Sequence, residues 1–402
     1  MHRRQLLLGL AGVGTAAGAL GYAAFTPRRD DEAPSPTSTP AETEPPAARG
    51  DPADYGRVAD EALPIPVADM LNGLPKDAIR SITEPAFGPD WADLTITHFP
   101  GTEREFQTEP RLTDHDTVVG VVREGEARAY PLRVLAGHEV VNDEFHGPLL
   151  VTYCPVCASS IVAVREVRGE EATFGVSGLL WKLNLVMYDR ETRSLWTQAE
   201  MVAINGELTG ERLELVPSTL TKWGAWREEF PDTAVLLPPP LSKPLYYGQP
   251  GMNATGTYLQ PATRAPGSPE AADFDRGQFT HVLGVEYGVA ARAYPLPVVV
   301  EERVVNDVVG GVPVVVTVAP GTSLVAYERR VRGRTLTFEA WDDRHLRAGG
   351  SRWRRLTGLA VDGPFEGERL VRATDVPQLF WETWRDFNPD TTVYGDYTFS
   401  RD

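Results

Sequence analysis

Residues 127–143 read ARAYPLRVLAGHEVVND, and residues 291–307 read ARAYPLPVVVEERVVND. Both begin Ala-Arg-Ala-Tyr-Pro-Leu, and both reach Val-Val-Asn-Asp at the same distance. The likeness continues outward. Each stretch is followed by an apolar run, an Arg-Gly and a Thr-Phe. Further on, Ser194-Leu-Trp196 matches Ser351-Arg-Trp353. Trp223-x-x-Trp226-Arg, followed by Pro231-Asp-Thr, matches Trp381-x-x-Trp384-Arg, followed by Pro389-Asp-Thr. Shared order over this length indicates duplication of a whole domain, because a solenoid repeat is much shorter.

Within each copy the pattern is that of strands. Residues 117–122 (TVVGVV), 149–153 (LLVTY) and 161–164 (IVAV) are short and β-branched, and Gly, Pro and Asn-Asp clusters separate them. Residues 312–317 and 324–327 repeat this in the second copy. The tryptophan pairs predict one short helix per copy, capped by Thr221 or Asp375, and Pro131 and Pro295 each open another. The expectation is a mainly β chain of two tandem, internally duplicated β-rich subdomains with short helices. Copy one spans 56–240, and a degenerate copy two spans 241–402. Residues 237–280, rich in Pro and Gly, join them. Residues 115–236 are expected to superpose on 280–397. Periodicity does not choose between barrel and sandwich.

The 402-residue chain is 42% hydrophobic with a net charge of −17, enough for two ordinary cores. Its only lysines are Lys76, Lys182, Lys222 and Lys243. Few lysines among many carboxylates suggest a surface suited to high salt; an ordinary acidic protein is the alternative. A nucleic-acid partner is not expected, since phosphate needs a basic patch. Residues 1–26 carry Arg3 and Arg4 before an apolar run over 6–25, the order of a twin-arginine export signal or an N-terminal anchor. Residues 27–55 read as a Pro/Ser/Thr/Glu tether that buries nothing. The expectation is an exported protein, extracytoplasmic, at the cell surface or membrane-anchored by 6–25. A metal would then be loaded before the chain meets an oxidising compartment.

The duplication supplies an internal control. Features in both copies point to the fold: Tyr130/Tyr294, Asn142/Asn306, Asp143/Asp307 and Trp226/Trp384 read as structural, with Asn-Asp as turn or cap chemistry. Features in one copy point to function. His138 faces Glu302 in the alignment, Glu139 faces Arg303, and Cys154 and Cys157 face Ala319 and Thr322. Ser177, Met187, Asp189 and Arg190 also belong to copy one alone.

Cys154 and Cys157 are the only cysteines, in TYCPVCAS. With His138 and Met187 they form a soft donor set for copper or zinc. Core packing is the alternative for Met187, and a hydrogen-bonded half-buried histidine for His138. A second reading is a thiol–disulfide pair, Cys154-Pro155-Val156-Cys157, with the first cysteine as nucleophile and a redox or metal-donor partner. No thioredoxin-like βαβ pattern accompanies it. A structural disulfide is a third reading, and its small loop adds little stability. Ser177 with His138 and a carboxylate is a fourth, a hydrolase, although Gly175-Val-Ser177-Gly178 is not a nucleophile elbow. A non-enzymatic surface binding module also stays open.

The stretches ARAYPLRVLAGHEVVND, TYCPVCAS, FGVSGLLWKLNLVMYDRETRSLWTQ and TKWGAWREEFPDTAVL resemble the prokaryotic domain-of-unknown-function family 3179 over most of residues 70–402. The family usually has Tyr-Cys-Pro-Leu-Cys-Gly, where this chain has Val156 and Ala158. The resemblance implies an exported or envelope protein and no established activity. Its motif positions fall on His138, Asn142, Asp143, Cys154, Cys157, Ser177, Met187, Asp189, Arg190, Trp196 and Gln198.

Overall fold

The computed structural model describes residues 63–98, 106–245 and 279–399. The expected export signal (1–26) and tether (27–55) lie outside them. Among the described residues no helix is long and apolar enough to cross a membrane.

The chain is mainly β, and the same strand order is built twice. In copy one, Ser218–Lys222, Thr117–Arg123, Glu126–Pro131 and Ala234–Leu236 lie side by side in one sheet, with Phe87–Gly88 added at the edge. In copy two, Leu379–Phe380, His281–Tyr287, Ala290–Pro295 and Thr392–Val393 take the same order. A second sheet contains Val140–Glu144, Pro148–Cys154 and Ser159–Val164, matched by Val304–Val309, Val312–Ala319 and Ser323–Glu328. A third contains Phe174–Trp181, Asn184–Asp189 and Leu195–Thr197, matched by Glu339–Ala340, His345–Ala348 and Ser351–Arg354. These are small open sheets, almost wholly antiparallel.

Among the described residues, four one-to-two-turn α-helices join them: α1 (Leu132–His138), α2 (Trp223–Glu229), α3 (Leu296–Glu302) and α4 (Trp381–Phe387). Pro131 and Pro295 precede α1 and α3 in extended conformation, φ −64° in each, so the proline ring sets the chain's entry into the helix. The caps expected from Thr221 and Asp375 are not used. The residues before α2 and α4 are Lys222 and Phe380, and neither makes a side-chain cap.

The shared residues are structural, by a route other than turns or caps. Asp143 sits in a strand and accepts hydrogen bonds from Tyr130 and Arg128, both at 2.6 Å. Asp307 does the same with Tyr294 at 2.8 Å and Arg292 at 2.7 Å. Asn142 pairs with the backbone N–H and C=O of Phe174, and Asn306 with those of Phe338, tying the second sheet to the third in each copy. Trp226 and Trp384 lie directly on Gly120 and Gly284. A Cβ at those glycines would come within 2.2 Å and 2.0 Å of the indole rings, so only glycine admits the contact.

The copies meet with pseudo-twofold logic. The hairpin after Ala319 lies on the strand before α2: Thr221 Oγ1 donates to Pro320 O at 3.1 Å, and Ser323 Oγ to Leu220 O at 2.7 Å. The hairpin after Cys154 lies against the strand before α4, where Phe380 N–H donates to Cys157 O at 3.4 Å.

Candidate functional site

Strand pairing places the two thiols. Cys154 is the last residue of its strand and pairs with Ser159, so residues 155–158 close the hairpin. Ala158 closes it in the left-handed region, φ 49°. The tip residue Val156 is 47% exposed, while Cys154 and Cys157 turn inward and are 1% and 4% exposed. Both cysteines are free thiols. In copy two, Ala319 pairs with Ser323 across a loop one residue shorter, and Thr322 has φ 63°. Cys154 therefore corresponds to Ala319, as the alignment has it. Thr322 corresponds to Ala158, however, and Cys157 falls where copy two has lost a residue or has Gly321.

Polar groups gather around Cys157 at the edge of an apolar cluster that includes Leu150, Phe174, Leu185, Met187 and Trp196. Asn184 Nδ2 donates to the Cys157 sulfur at 3.2 Å, and Ser159 Oγ lies 3.0 Å from it. The Asn184 amide cannot turn round, because its Oδ1 accepts the Ala199 N–H at 2.9 Å. Gln198 is fixed in the same way. Its Nε2 donates to Thr152 Oγ1 and Ser159 O, and its Oε1 accepts from Asn184 and Ser159, both at 2.8 Å. The single Ser159 hydroxyl proton has two acceptors, Gln198 Oε1 and the sulfur. While Cys157 is a thiol, that proton serves Gln198, and the thiol's own proton has Ser159 Oγ and Cys154 O as acceptors. When Cys157 is a thiolate, the hydroxyl rotates to it.

Burial pushes the Cys157 thiol up, but hydrogen bonds from Cys154, Ser159 and Asn184 together outweigh it and bring it down to about 7. Cys154 goes the other way. Burial raises it, and its hydrogen bond to Cys157 and the charges of Cys157 and Glu139 add to the rise. A carboxyl stands beside the pair. Glu139 ends α1 with φ 57°, its carbonyl accepts the Tyr153 N–H at 2.8 Å, and its side chain is buried. Burial, then the Cys157 charge, raises that carboxyl to about 8.

The other expected site residues are placed as follows. Met187 is fully buried in the same apolar cluster as the cysteines. His138 is buried and bonded through Nδ1 to Arg80 O at 2.7 Å; desolvation lowers its pKa against that bond. Ser177 sits in a bulge, its hydroxyl donating to Val186 O and accepting the Leu179 N–H, so both bonds go to backbone. Asp189 accepts from Trp196 Nε1 and from Thr192, and Arg190 pairs with Asp77 at 3.1 Å. Among the described residues, no group of three or more His, Cys, Asp and Glu is arranged to hold a metal ion.

Ser159, Asn184 and Thr152 were not anticipated. Ser159 is shared with copy two as Ser323, so comparing the copies removes it. Gln198 was marked by the resemblance alone, although the repeat offered a signal: two residues after the matched Trp196 and Trp353, copy one has Gln198 and copy two Arg355.

Residues 76–263 and 260–402 match the model of one family, described as "Protein of unknown function (DUF3179)". No curated protein and no solved structure matches the chain.

Proposed function

The chain belongs to this family, DUF3179, and we propose that its site is a thiol–disulfide couple, with Cys157 as attacking thiolate and Cys154 as resolving thiol. The observation that carries this reading is the fixed Asn184 amide 3.2 Å from the Cys157 sulfur, with the Ser159 hydroxyl at 3.0 Å. Both donors favour a thiolate, which is the nucleophile in exchange. The roles are opposite to the first-cysteine expectation. The Cys157 thiolate attacks one sulfur of a disulfide and expels the other as a thiolate, which takes up a proton. Cys154 then loses its proton and attacks the Cys157 sulfur, releasing the second thiol. The pair gives up two electrons and two protons and becomes a disulfide. The Arg3-Arg4 and apolar pattern supports an extracytoplasmic setting, where such a couple meets oxidant.

A second reading keeps the metal. Two buried, adjacent sulfurs favour a soft monovalent ion such as copper(I) over zinc, which takes about four donors.

One preparation tests both. The protein, purified without added metal, is equilibrated for hours in glutathione buffers of graded potential, and its thiols are read by mass spectrometry. Alkylation of reduced protein is followed against pH. The expected results are a reversible intramolecular disulfide and a Cys157 alkylation rate that rises with a midpoint near 7, with Cys154 slower throughout. Failure to form the disulfide at any potential removes the redox reading. Stoichiometric copper retained by wild type and lost in Cys157→Ser establishes the second.

A further inference from the structure

We propose that the oxidising substrate of this thiol pair is a small hydroperoxide, reduced at Cys157 with Glu139 as proton donor. The inference rests on the thiol–disulfide reading and names its substrate.

Access decides the class. The Cys157 sulfur belongs to a residue only 4% exposed. It lies behind the hairpin tip, and copy two closes over it: Phe380 N–H meets Cys157 O, and Val376 packs on the apolar cluster that holds both cysteines. Exchange with a protein disulfide needs the entering sulfur in line with a bulky leaving group, and a sulfur this buried meets one only when the hairpin or copy two moves aside. A molecule scarcely larger than water needs much less.

The polar lining fits that molecule. Asn184 and Ser159 are fully buried, and the Asn184 N–H at 3.2 Å and the Ser159 hydroxyl at 3.0 Å both face the sulfur. These two donors lie where an oxygen brought to the sulfur would be held once it leaves water. The resolving thiol is already in place, with Cys154 close enough to hydrogen-bond the Cys157 sulfur.

The atoms balance. The Cys157 thiolate attacks the near oxygen of HOOH, the O–O bond breaks, and the far oxygen leaves as hydroxide. That hydroxide takes a proton from Glu139 and departs as water, leaving Cys157 as a sulfenic acid. Cys154 attacks the sulfenic sulfur. An S–S bond forms, the S–O bond breaks, and the Cys154 proton leaves with the hydroxyl as a second water. Two electrons pass from the thiol pair to the peroxide, and Glu139 regains its proton from solvent. Two molecules of a thiol reductant return the pair to dithiol. A buried carboxyl that keeps its proton beside a thiolate is the arrangement this step requires. Each charge disfavours the other, so Glu139 is the protonated member when Cys157 is ionised.

The test uses the reduced protein mixed rapidly with hydrogen peroxide, with cumene hydroperoxide, and with oxidised glutathione, each followed by mass spectrometry. Hydrogen peroxide is expected to form the intramolecular disulfide at least about tenfold faster than it oxidises a small thiol at equal thiolate concentration. Cumene hydroperoxide and oxidised glutathione should be slower than hydrogen peroxide. Cys154→Ala, which copies Ala319, should stop at a dimedone-trappable sulfenic acid on Cys157. Cys157→Ser, or Cys157→Ala should the first not fold, should give no adduct. Glu139→Gln should slow the peroxide reaction and leave the glutathione reaction unchanged, since a thiolate leaving group needs no proton; a merely structural role would move both. If peroxide reacts no faster than with a small thiol while equilibrium with glutathione still forms the disulfide, the peroxide inference falls and the redox couple stands. If neither forms it, both fall. Equal rates for the bulky and the small hydroperoxide would overturn the access argument.

Discussion

The thiol site of copy one and its counterpart in copy two are built on the same threonine. In copy one, Thr152 Oγ1 accepts from Gln198, whose other end holds Ser159 and Asn184 around the Cys157 sulfur. In copy two, Thr317 Oγ1 accepts from Arg355 at 2.5 Å. That guanidinium spends further donors on the carbonyls of Arg303, Val318 and Asp342. Ala319 stands where Cys154 would be. Ser323, which matches Ser159, donates instead to Leu220 O across the interface between the copies. A site that holds a sulfur with neutral donors and acceptors has become one plugged by a group that only donates. The scaffold did not change with it: the Arg-Tyr-Asp cluster, the Asn-to-Phe backbone pair and the Gly-to-Trp contact occur in both copies. The side chains that differ are a handful, and the strands that hold them keep the same order in both copies.

The shared scaffold is where the largest effects are expected. Gly120→Ala and Gly284→Ala each drive a methyl into an indole ring that is itself packed in a core. Overpacking of this kind costs about 1–3 kcal/mol and sometimes more. Urea midpoints should fall for both variants, by similar amounts. A loss in one copy only would show that α2 and α4 do not serve the same purpose, and the equivalence of the copies would then be limited to strand order.

What could be read in advance follows from this division. The duplicated motifs gave the mainly β class and the tandem arrangement because both depend on features present twice. The cysteines stood out because copy two lacks them. Glu139 stood out equally, opposite Arg303, but nothing in the string says that the end of α1 is stitched to the strand carrying Cys154; that takes the Tyr153-to-Glu139 backbone bond. His138 differs between the copies just as clearly, yet its ring is bonded to Arg80 O, a residue outside the repeat as quoted. Ser159 was hidden because both copies have it, with different duties. Asn184 was hidden because the copies lose their alignment between Phe174 and Trp196, where strand lengths differ.

The donor role of Asn184 can be isolated. Asn184→Asp keeps the acceptor that receives the Ala199 N–H and replaces the N–H group facing sulfur with a carboxylate oxygen. A lost donor and a nearby like charge both disfavour the thiolate. The midpoint of Cys157 alkylation should rise from about 7 by at least about one pH unit, equivalent to about 1.4 kcal/mol. Copy two, which lacks thiols, serves as the internal reference: hydrogen exchange there should be unaltered. An unchanged midpoint would mean that the hairpin's own dipoles, and not Asn184, set the sulfur's charge.

The smallest effect concerns the surface, and here too the copies differ. Residues 63–245 carry 16 Lys and Arg against 27 Asp and Glu, a net charge of −11, and they include all four lysines. Residues 279–402 carry 15 Arg against 17 Asp and Glu, a net charge of −2. Copy two's charges nearly cancel, and several are paired, as in Arg332 with Glu368 at 2.6 Å and Arg352 with Asp362 at 2.6 Å. Exposed pairs of this kind are worth about 0–1 kcal/mol each, and salt weakens them. Copy one has an excess of like charge, and salt weakens that repulsion instead. At molar NaCl the Debye length shrinks to ~3 Å, shorter than the spacing of most surface carboxylates. The melting temperature of the whole chain should therefore rise with salt. Amide protection should increase in the strands Thr117–Arg123 and Pro148–Cys154 of copy one more than in His281–Tyr287 and Val312–Ala319 of copy two. Equal gains in both copies would show that general salting-out of apolar surface, rather than the charge excess of copy one, governs the response; a fall in melting temperature would show that the arginine pairs outweigh the repulsion.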